Sequence, residues 1–154
     1  MRRLLFSLIA VAAIAGAAAA QPAVPERAVA TFAGGCFWCV ESDFDHVPGV
    51  LETISGYTGG KVANPTYSQV SAGGTGHAES VEVVYDPRKV SFAQLLDYFW
   101  HHVDPTVKDQ QFCDHGNQYR TAIFVHNDDE RKLAEASKKK VEAEVQKTAE
   151  KSGF

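Results

Sequence analysis

The chain has 154 residues, of which 15 are Lys or Arg and 19 are Asp or Glu, and its formal net charge is −4. This balance argues against a nucleic-acid-binding protein, which needs a basic surface to meet phosphate charge. With 45% hydrophobic and 22% charged residues, the composition is that of a globular domain rather than a disordered chain. Three cysteines are too few for a disulfide-stapled scaffold and are odd in number.

Residues 1–20 predict a secretory signal peptide. Arg2 and Arg3 begin it, an apolar run follows, and it ends in small residues up to Ala20. An uncleaved membrane anchor is the alternative, but the apolar part is short and lacks a charged flank after it. Without Arg2 and Arg3 the chain keeps 13 basic and 19 acidic residues, a net charge of −6. We expect an exported protein, periplasmic or secreted, with no stable membrane insertion after cleavage.

Residues 21–28 predict a linker, and residues 29–154 predict one folded domain. The predicted elements are a strand at 28–32, a helix at 36–45, a strand at 50–57, a Gly-rich loop at 58–77, a strand at 80–85, a helix capped by Ser91 and ending near 103, an irregular segment at 104–118, a strand at 119–126, and a last helix capped by Asn127 or Asp128. This order predicts an α+β fold, a ferredoxin-like split βαβ sandwich with a mixed sheet and helices packed on it. The alternation alone also allows a thioredoxin-like arrangement.

Cys36 and Cys39 form a C-x-x-C motif where the first predicted strand meets the first helix. Free N–H groups at a helix N-terminus favour negative charge, so they favour a thiolate at Cys36. Cys39, three residues later, lies on the same helix face and within reach for a disulfide. The spacing therefore supplies an attacking sulfur and a resolving sulfur.

A zinc site is the alternative use of these cysteines, with Cys113 and His115 completing four ligands. Their C-x-H spacing is unusual for zinc, and Phe37 and Trp38 are bulky between the first two ligands. Redox chemistry is therefore favoured and no metal is expected. A general C-x-x-C thiol–disulfide oxidoreductase and a zinc-stabilised non-enzymatic module stay open as alternatives.

Several separate motifs, in one order along the chain, closely resemble the peptide methionine sulfoxide reductase A family. They are Gly35-Cys36-Phe37-Trp38, Gly56-Tyr57-Thr58-Gly59-Gly60, Asn64-Pro65-Thr66-Tyr67, Gly76-His77-Ala78-Glu79 and Asp114-His115-Gly116-Asn117-Gln118-Tyr119-Arg120. The resemblance implies an α+β enzyme that reduces methionine-S-sulfoxide, protein-bound or free, to methionine. It implies no bound cofactor, and we expect a monomer.

The resemblance also implies the roles of individual residues. Cys36 would attack the sulfoxide sulfur and become a sulfenic acid, and Glu79 would be the acid, kept protonated by burial. Tyr67 and Tyr119 would supply the hydroxyls that bind the sulfoxide oxygen, and Asp114 would be the acidic residue that orders water or substrate. Phe37 and Trp38 would form an aromatic wall around the S-methyl group.

Recycling of the oxidised sulfur is expected to use Cys39, with Cys113 as the competing resolving cysteine. Either would give a disulfide that a thioredoxin-like or other dithiol donor reduces. An exported enzyme would need an exported donor. Family members continue past the point where this chain stops at Phe154, so we expect the domain to be truncated at its C-terminus.

Overall fold

The structure is a computed structural model that describes residues 26–152. The predicted signal peptide, at residues 1–20, and most of the predicted linker lie outside the described residues. Within the described residues, no helix is both long enough and apolar enough to cross a membrane.

The elements confirm an α+β fold. In chain order they are β1 (Ala28–Ala33), α1 (Phe37–Asp45), β2 (Val50–Thr58), α2 (Tyr67–Ser71), β3 (Ala78–Tyr85), α3 (Phe92–His101), β4 (Gln110–Gln111), β5 (Asp114–His115), a 3-10 helix (Asn117–Tyr119), β6 (Ala122–Phe124) and α4 (Asp128–Ser152). The strands β4 and β5 pair as a small separate hairpin.

The main sheet has the strand order β2-β3-β1-β6. The expectation of a mixed sheet needs correction here, because each pair of neighbouring strands in this described sheet is antiparallel. The reason is topological. Strands β1 and β2, joined through α1, run in the same direction, but β3 lies between them and pairs with both.

The core lies on one face of the sheet, under α1 and α3. Phe32 of β1 is fully buried, and its ring lies 4.9 Å from the rings of both Phe44 in α1 and Phe99 in α3. Thr31, the preceding residue, points to the other face and pairs with the exposed Glu82 of β3. This packing fixes α1 over the sheet and thereby places its N-terminus at the ends of β1 and β3.

Helix starts were predicted where a capping side chain marks them. Ser91 caps α3 as predicted: its hydroxyl accepts a hydrogen bond from Gln94 N at 3.2 Å. Asn127 caps α4, with its Oδ1 accepting from Glu130 N at 2.9 Å. The predicted loop at 58–77 is wrong in part, because α2 forms there behind a capping box of Thr66 and Gln69. The predicted strand at 119–126 is shortened to β6.

Candidate active site

Cys36 is the N-cap of α1, so the helix begins one residue later than predicted. Its carbonyl oxygen accepts hydrogen bonds from Cys39 N at 3.1 Å and Val40 N at 3.2 Å, which close the first turn. The Cys36 side chain makes no capping hydrogen bond. The thiol therefore lies at the positive end of the helix dipole and is not engaged in capping the helix.

Two glycines allow other segments to approach directly behind Cys36. A Cβ on Gly35, whose φ is +95°, would lie 2.6 Å from Gln111 Cβ, and a Cβ on Gly34 would lie 2.6 Å from Val103 Cγ1. Both distances are too short for carbon atoms that are not bonded. Residues with a side chain at these positions would push the segment after α3 away from the cysteine.

Gln111 holds in place the segment that carries two of the predicted site residues, Asp114 and Tyr119. It is 1% exposed, and its amide accepts a hydrogen bond from Asp104 N at 2.9 Å and donates to Asp104 O at 2.8 Å and Thr121 Oγ1 at 2.7 Å. The amide thus joins the two ends of residues 104–121. Asp114 and Tyr119 lie within this clamped segment.

Glu79 brings a buried carboxyl group to the N-terminus of α1. It is the second residue of β3 and 2% exposed, and its Oε2 accepts a hydrogen bond from Phe37 N at 3.0 Å. Burial raises the pKa of this carboxyl, the hydrogen bond from Phe37 lowers it, and the charge of Asp114 raises it again, so that the pKa lies above its ordinary value. The group is poised to hold a proton beside Cys36.

Tyr119 joins the same group of side chains. Burial is the main cause that raises its pKa, followed in order by the charges of Glu79, Asp114, Tyr67 and Cys36. Gln118, the residue before it, donates from Nε2 to Ser71 O at 3.2 Å and so ties the 3-10 helix to the end of α2. The structure thus gathers the predicted site residues from four separate segments.

Trp38 and Tyr67 form an exposed aromatic pair at the edge of the site. Their rings are nearly parallel, at 12°, with centroids 6.4 Å apart, and the two residues are 66% and 51% exposed. Phe37 lies beneath, with its ring 5.6 Å from Trp38 and 6.3 Å from Tyr67. Phe37 is 7% exposed and part of the core, so its ring both supports the helix and backs the exposed pair.

Tyr57 is a site residue to which the sequence analysis gave no role. It is the β2 partner of Glu79, its ring lies 5.6 Å from Phe37, and burial together with the charges of Glu79 and Tyr67 raises its pKa. Tyr57 stands inside one of the motifs that carried the family resemblance. Only the register of β2 against β3 places it beside Glu79.

The three cysteines are all free thiols, but they differ in their surroundings. Cys39 is exposed, and its pKa is raised first by partial burial and then by the charge of Cys36 and a side-chain hydrogen bond to it. Cys113 is exposed in the turn between β4 and β5. Cys39 is therefore a hydrogen-bonded neighbour of Cys36, while Cys113 lies in the hairpin turn.

The zinc alternative has no support in the geometry. Among the described residues, no three His, Cys, Asp or Glu side chains are close enough to hold a metal ion. The four residues of the zinc alternative, Cys36, Cys39, Cys113 and His115, are therefore not brought together as ligands.

The family model of the peptide methionine sulfoxide reductases matches residues 28–151. The chain belongs to this family. It is 53% identical over 116 residues to peptide methionine sulfoxide reductase MsrA of Bacillus licheniformis, covering 75% of this chain and 64% of the relative. It is 56% identical over 126 residues to MsrA 2 of Rhizobium meliloti, covering 82% and 62%. The chain thus spans less than two thirds of the length of these reductases.

Two solved structures share the fold of this chain. Methionine sulfoxide reductase A of Corynebacterium diphtheriae matches with a TM-score of 0.69 and 36% identity, covering 77% of this chain and 59% of that one. Mxr1 of Saccharomyces cerevisiae in its reduced form matches with a TM-score of 0.73 and 29% identity, covering 77% and 70%. The family resemblance inferred from the motifs is confirmed.

Replacing Gly35 by Ala tests the close packing behind Cys36. The variant should lose stability from both the positive φ and the contact with Gln111, at least about 2 kcal/mol in urea unfolding. Gly73→Ala is the matched control, since Gly73 has a φ of +79° and nothing within 4 Å of the added Cβ, and it should lose about 1 kcal/mol. Equal losses in the two variants would show that the contact with Gln111 contributes nothing.

Proposed function

We propose that this protein reduces methionine-S-sulfoxide, free or protein-bound, to methionine by thiol chemistry. The observation that carries the proposal is the buried Glu79 carboxyl hydrogen-bonded to the amide next to Cys36. A sulfoxide needs a nucleophile for its sulfur and a proton for its oxygen, and this pair supplies both. Membership in the peptide methionine sulfoxide reductase family supports the same activity.

In the proposed first step, Cys36 Sγ attacks the sulfoxide sulfur while Glu79 protonates the oxygen. The sulfur–oxygen bond then breaks, the hydroxyl passes to Cys36 as a sulfenic acid, and methionine leaves. Cys36 is oxidised by two electrons and the sulfoxide is reduced by two. The raised pKa of Glu79 keeps more of the carboxyl protonated at a given pH than an exposed glutamate would keep.

The surrounding side chains orient the substrate. Tyr67 and Tyr119 would hydrogen-bond the sulfoxide oxygen, and Asp114 would order water or the substrate backbone. Trp38 and Phe37 would form the wall against which the S-methyl group packs, because sulfur and methyl groups pack favourably on aromatic rings. The exposure of Trp38 and Tyr67 fits a site open to oxidised methionines on protein surfaces.

Cys39 would resolve the sulfenic acid. The Cys39 thiol gives up its proton, its sulfur attacks Cys36 Sγ and the disulfide forms, and the hydroxyl of the sulfenic acid takes up that proton and leaves as water. Burial first, and then the charge of Cys36 and a side-chain hydrogen bond to it, raise the pKa of Cys39, which places the two sulfurs next to each other. A thioredoxin-like or other dithiol donor then reduces the disulfide, so the cycle requires no bound cofactor.

Three further expectations belong to the proposal. The pattern of residues 1–20 supports export to the periplasm or the medium, and therefore an exported reductant. The strand order, with two β-α-β units interleaved, supports the ferredoxin-like split βαβ description. We also propose that the protein acts as a monomer.

The function is tested with separated methionine sulfoxide epimers and dithiothreitol. The protein should consume the S epimer, and Cys36→Ser should abolish turnover because the nucleophile is gone, while both proteins keep the same circular dichroism spectrum. The measurement is methionine released, by chromatography. Activity confined to the R epimer, or turnover that survives Cys36→Ser, would contradict the proposal.

The resolving cysteine is tested by comparing Cys39→Ser with Cys113→Ser. Cys39→Ser should release about one equivalent of methionine in rapid-mixing experiments and then stall with thioredoxin, because the sulfenic acid has no partner thiol. Cys113→Ser should turn over at the wild-type rate. The opposite result, with stalling in Cys113→Ser only, would assign the resolving role to Cys113.

A further inference from the structure

A cleft of about 520 Å³ opens beside Cys39. It lies between α1, the end of α3 and the β4–β5 hairpin, and Cys39, Asp43, His101, His102 and Phe112 are among its lining residues. The cleft is separate from the aromatic pair of Trp38 and Tyr67, neither of which lines it. Cys39 therefore lines a cleft that is adjacent to the proposed active site but distinct from its aromatic pair.

Phe112 is the most exposed large hydrophobic residue described, at 78%, and it forms the wall of the cleft at the tip of the hairpin. Its φ is +51°, a conformation that bulky residues rarely adopt. Both the strained backbone and the solvent-exposed ring lower the stability of the fold, which indicates that Phe112 is kept in this position for a function. Exposed aromatic rings of this kind are typical anchors of protein–protein contacts.

The polar groups of the cleft indicate the charge of its occupant. Asp43 and Asp104 line it, and no Lys or Arg is among the lining residues described. His101 and His102 both donate from Nδ1 to main-chain carbonyl oxygens, those of Asp97 and Tyr98, at 2.7 Å. In the neutral imidazoles the Nε2 atoms are then the acceptors. A partner face with hydrogen-bond donors or positive charge is complementary to this lining.

We propose that this cleft is the docking surface for a protein dithiol, with Phe112 as its apolar anchor and Cys39 Sγ as the sulfur attacked. The inference rests on the proposed function, since only that cycle forms the Cys36–Cys39 disulfide. The occupant must be a dithiol because the Cys36–Cys39 disulfide is reduced by exchange with a thiolate, and a second thiol is needed to release the mixed disulfide. Cys39 is exposed whereas Cys36 is partly buried, so an approaching protein reaches Cys39 first.

The exchange proceeds in two balanced steps. The partner's thiolate attacks Cys39 Sγ, the Cys36–Cys39 bond breaks, and its electron pair goes to Cys36 Sγ. The leaving thiolate then lies at the N-terminus of α1, where the helix dipole stabilises it. The partner's second thiolate attacks the partner's own sulfur in the mixed disulfide, which frees Cys39 as a thiolate and leaves the partner oxidised by two electrons.

Phe112→Asn tests the anchor. Asn tolerates a positive φ better than Phe, so the variant should fold, as circular dichroism and urea unfolding can verify. Turnover on the S epimer is measured with thioredoxin, thioredoxin reductase and NADPH, and in parallel with dithiothreitol, which needs no docking surface. The ratio of kcat/KM for thioredoxin to that for dithiothreitol should fall about tenfold, the usual cost of truncating an aromatic anchor.

Two control variants define the outcome. Phe112→Tyr keeps the ring, and Leu133→Gln removes a 43% exposed hydrophobic side chain of α4 that does not line the cleft; both should keep the wild-type ratio. An unchanged ratio in Phe112→Asn would overturn the docking surface. Wild-type turnover with dithiothreitol but none with thioredoxin would overturn the choice of partner. Loss of turnover with both reductants in the wild type would instead refute the proposed function.

Discussion

The structure of the site depends on one hydrogen bond, from the amide of Phe37 to the buried carboxyl of Glu79. The first amides of a helix need acceptors, and here the acceptor is a side chain from the neighbouring strand rather than the N-cap cysteine. This leaves the Cys36 thiol free and holds an acid beside it. Burial and the charge of Asp114 outweigh this single hydrogen bond, so the pKa of the carboxyl is raised rather than lowered.

The rest of the fold keeps that contact in place. The packing of Phe32 between Phe44 and Phe99 fixes α1 on the sheet, and the antiparallel pairing of β1 with β3 brings Glu79 to the same edge as Cys36. Gln111 clamps the segment that carries Asp114 and Tyr119 against Gly35. A small displacement of any of these supports would separate the acid from the sulfur, because such chemistry tolerates little change in geometry.

Local signals in the sequence predicted a good part of this arrangement. The C-x-x-C motif at a strand–helix junction marked the N-terminus of α1, and the capping residue Ser91 marked that of α3. The single turn α2 was missed because five residues show no apolar periodicity. Tyr57 was missed because its place beside Glu79 depends on strand register, which is set by tertiary contacts. The positive φ of Phe112 has no signal in its own residue type.

Glu79 holds its proton more tightly than an exposed glutamate, and a site-resolved titration of the carboxyl groups tests this difference. The protein is labelled with ¹³C at the glutamate carboxyls, the Glu79 resonance is assigned by its absence in Glu79→Gln, and Glu82, exposed on the same strand, serves as the reference. The pKa of Glu79 should lie above the ordinary value for a glutamate. A Glu79 carboxyl that ionises at or below that ordinary value would contradict it.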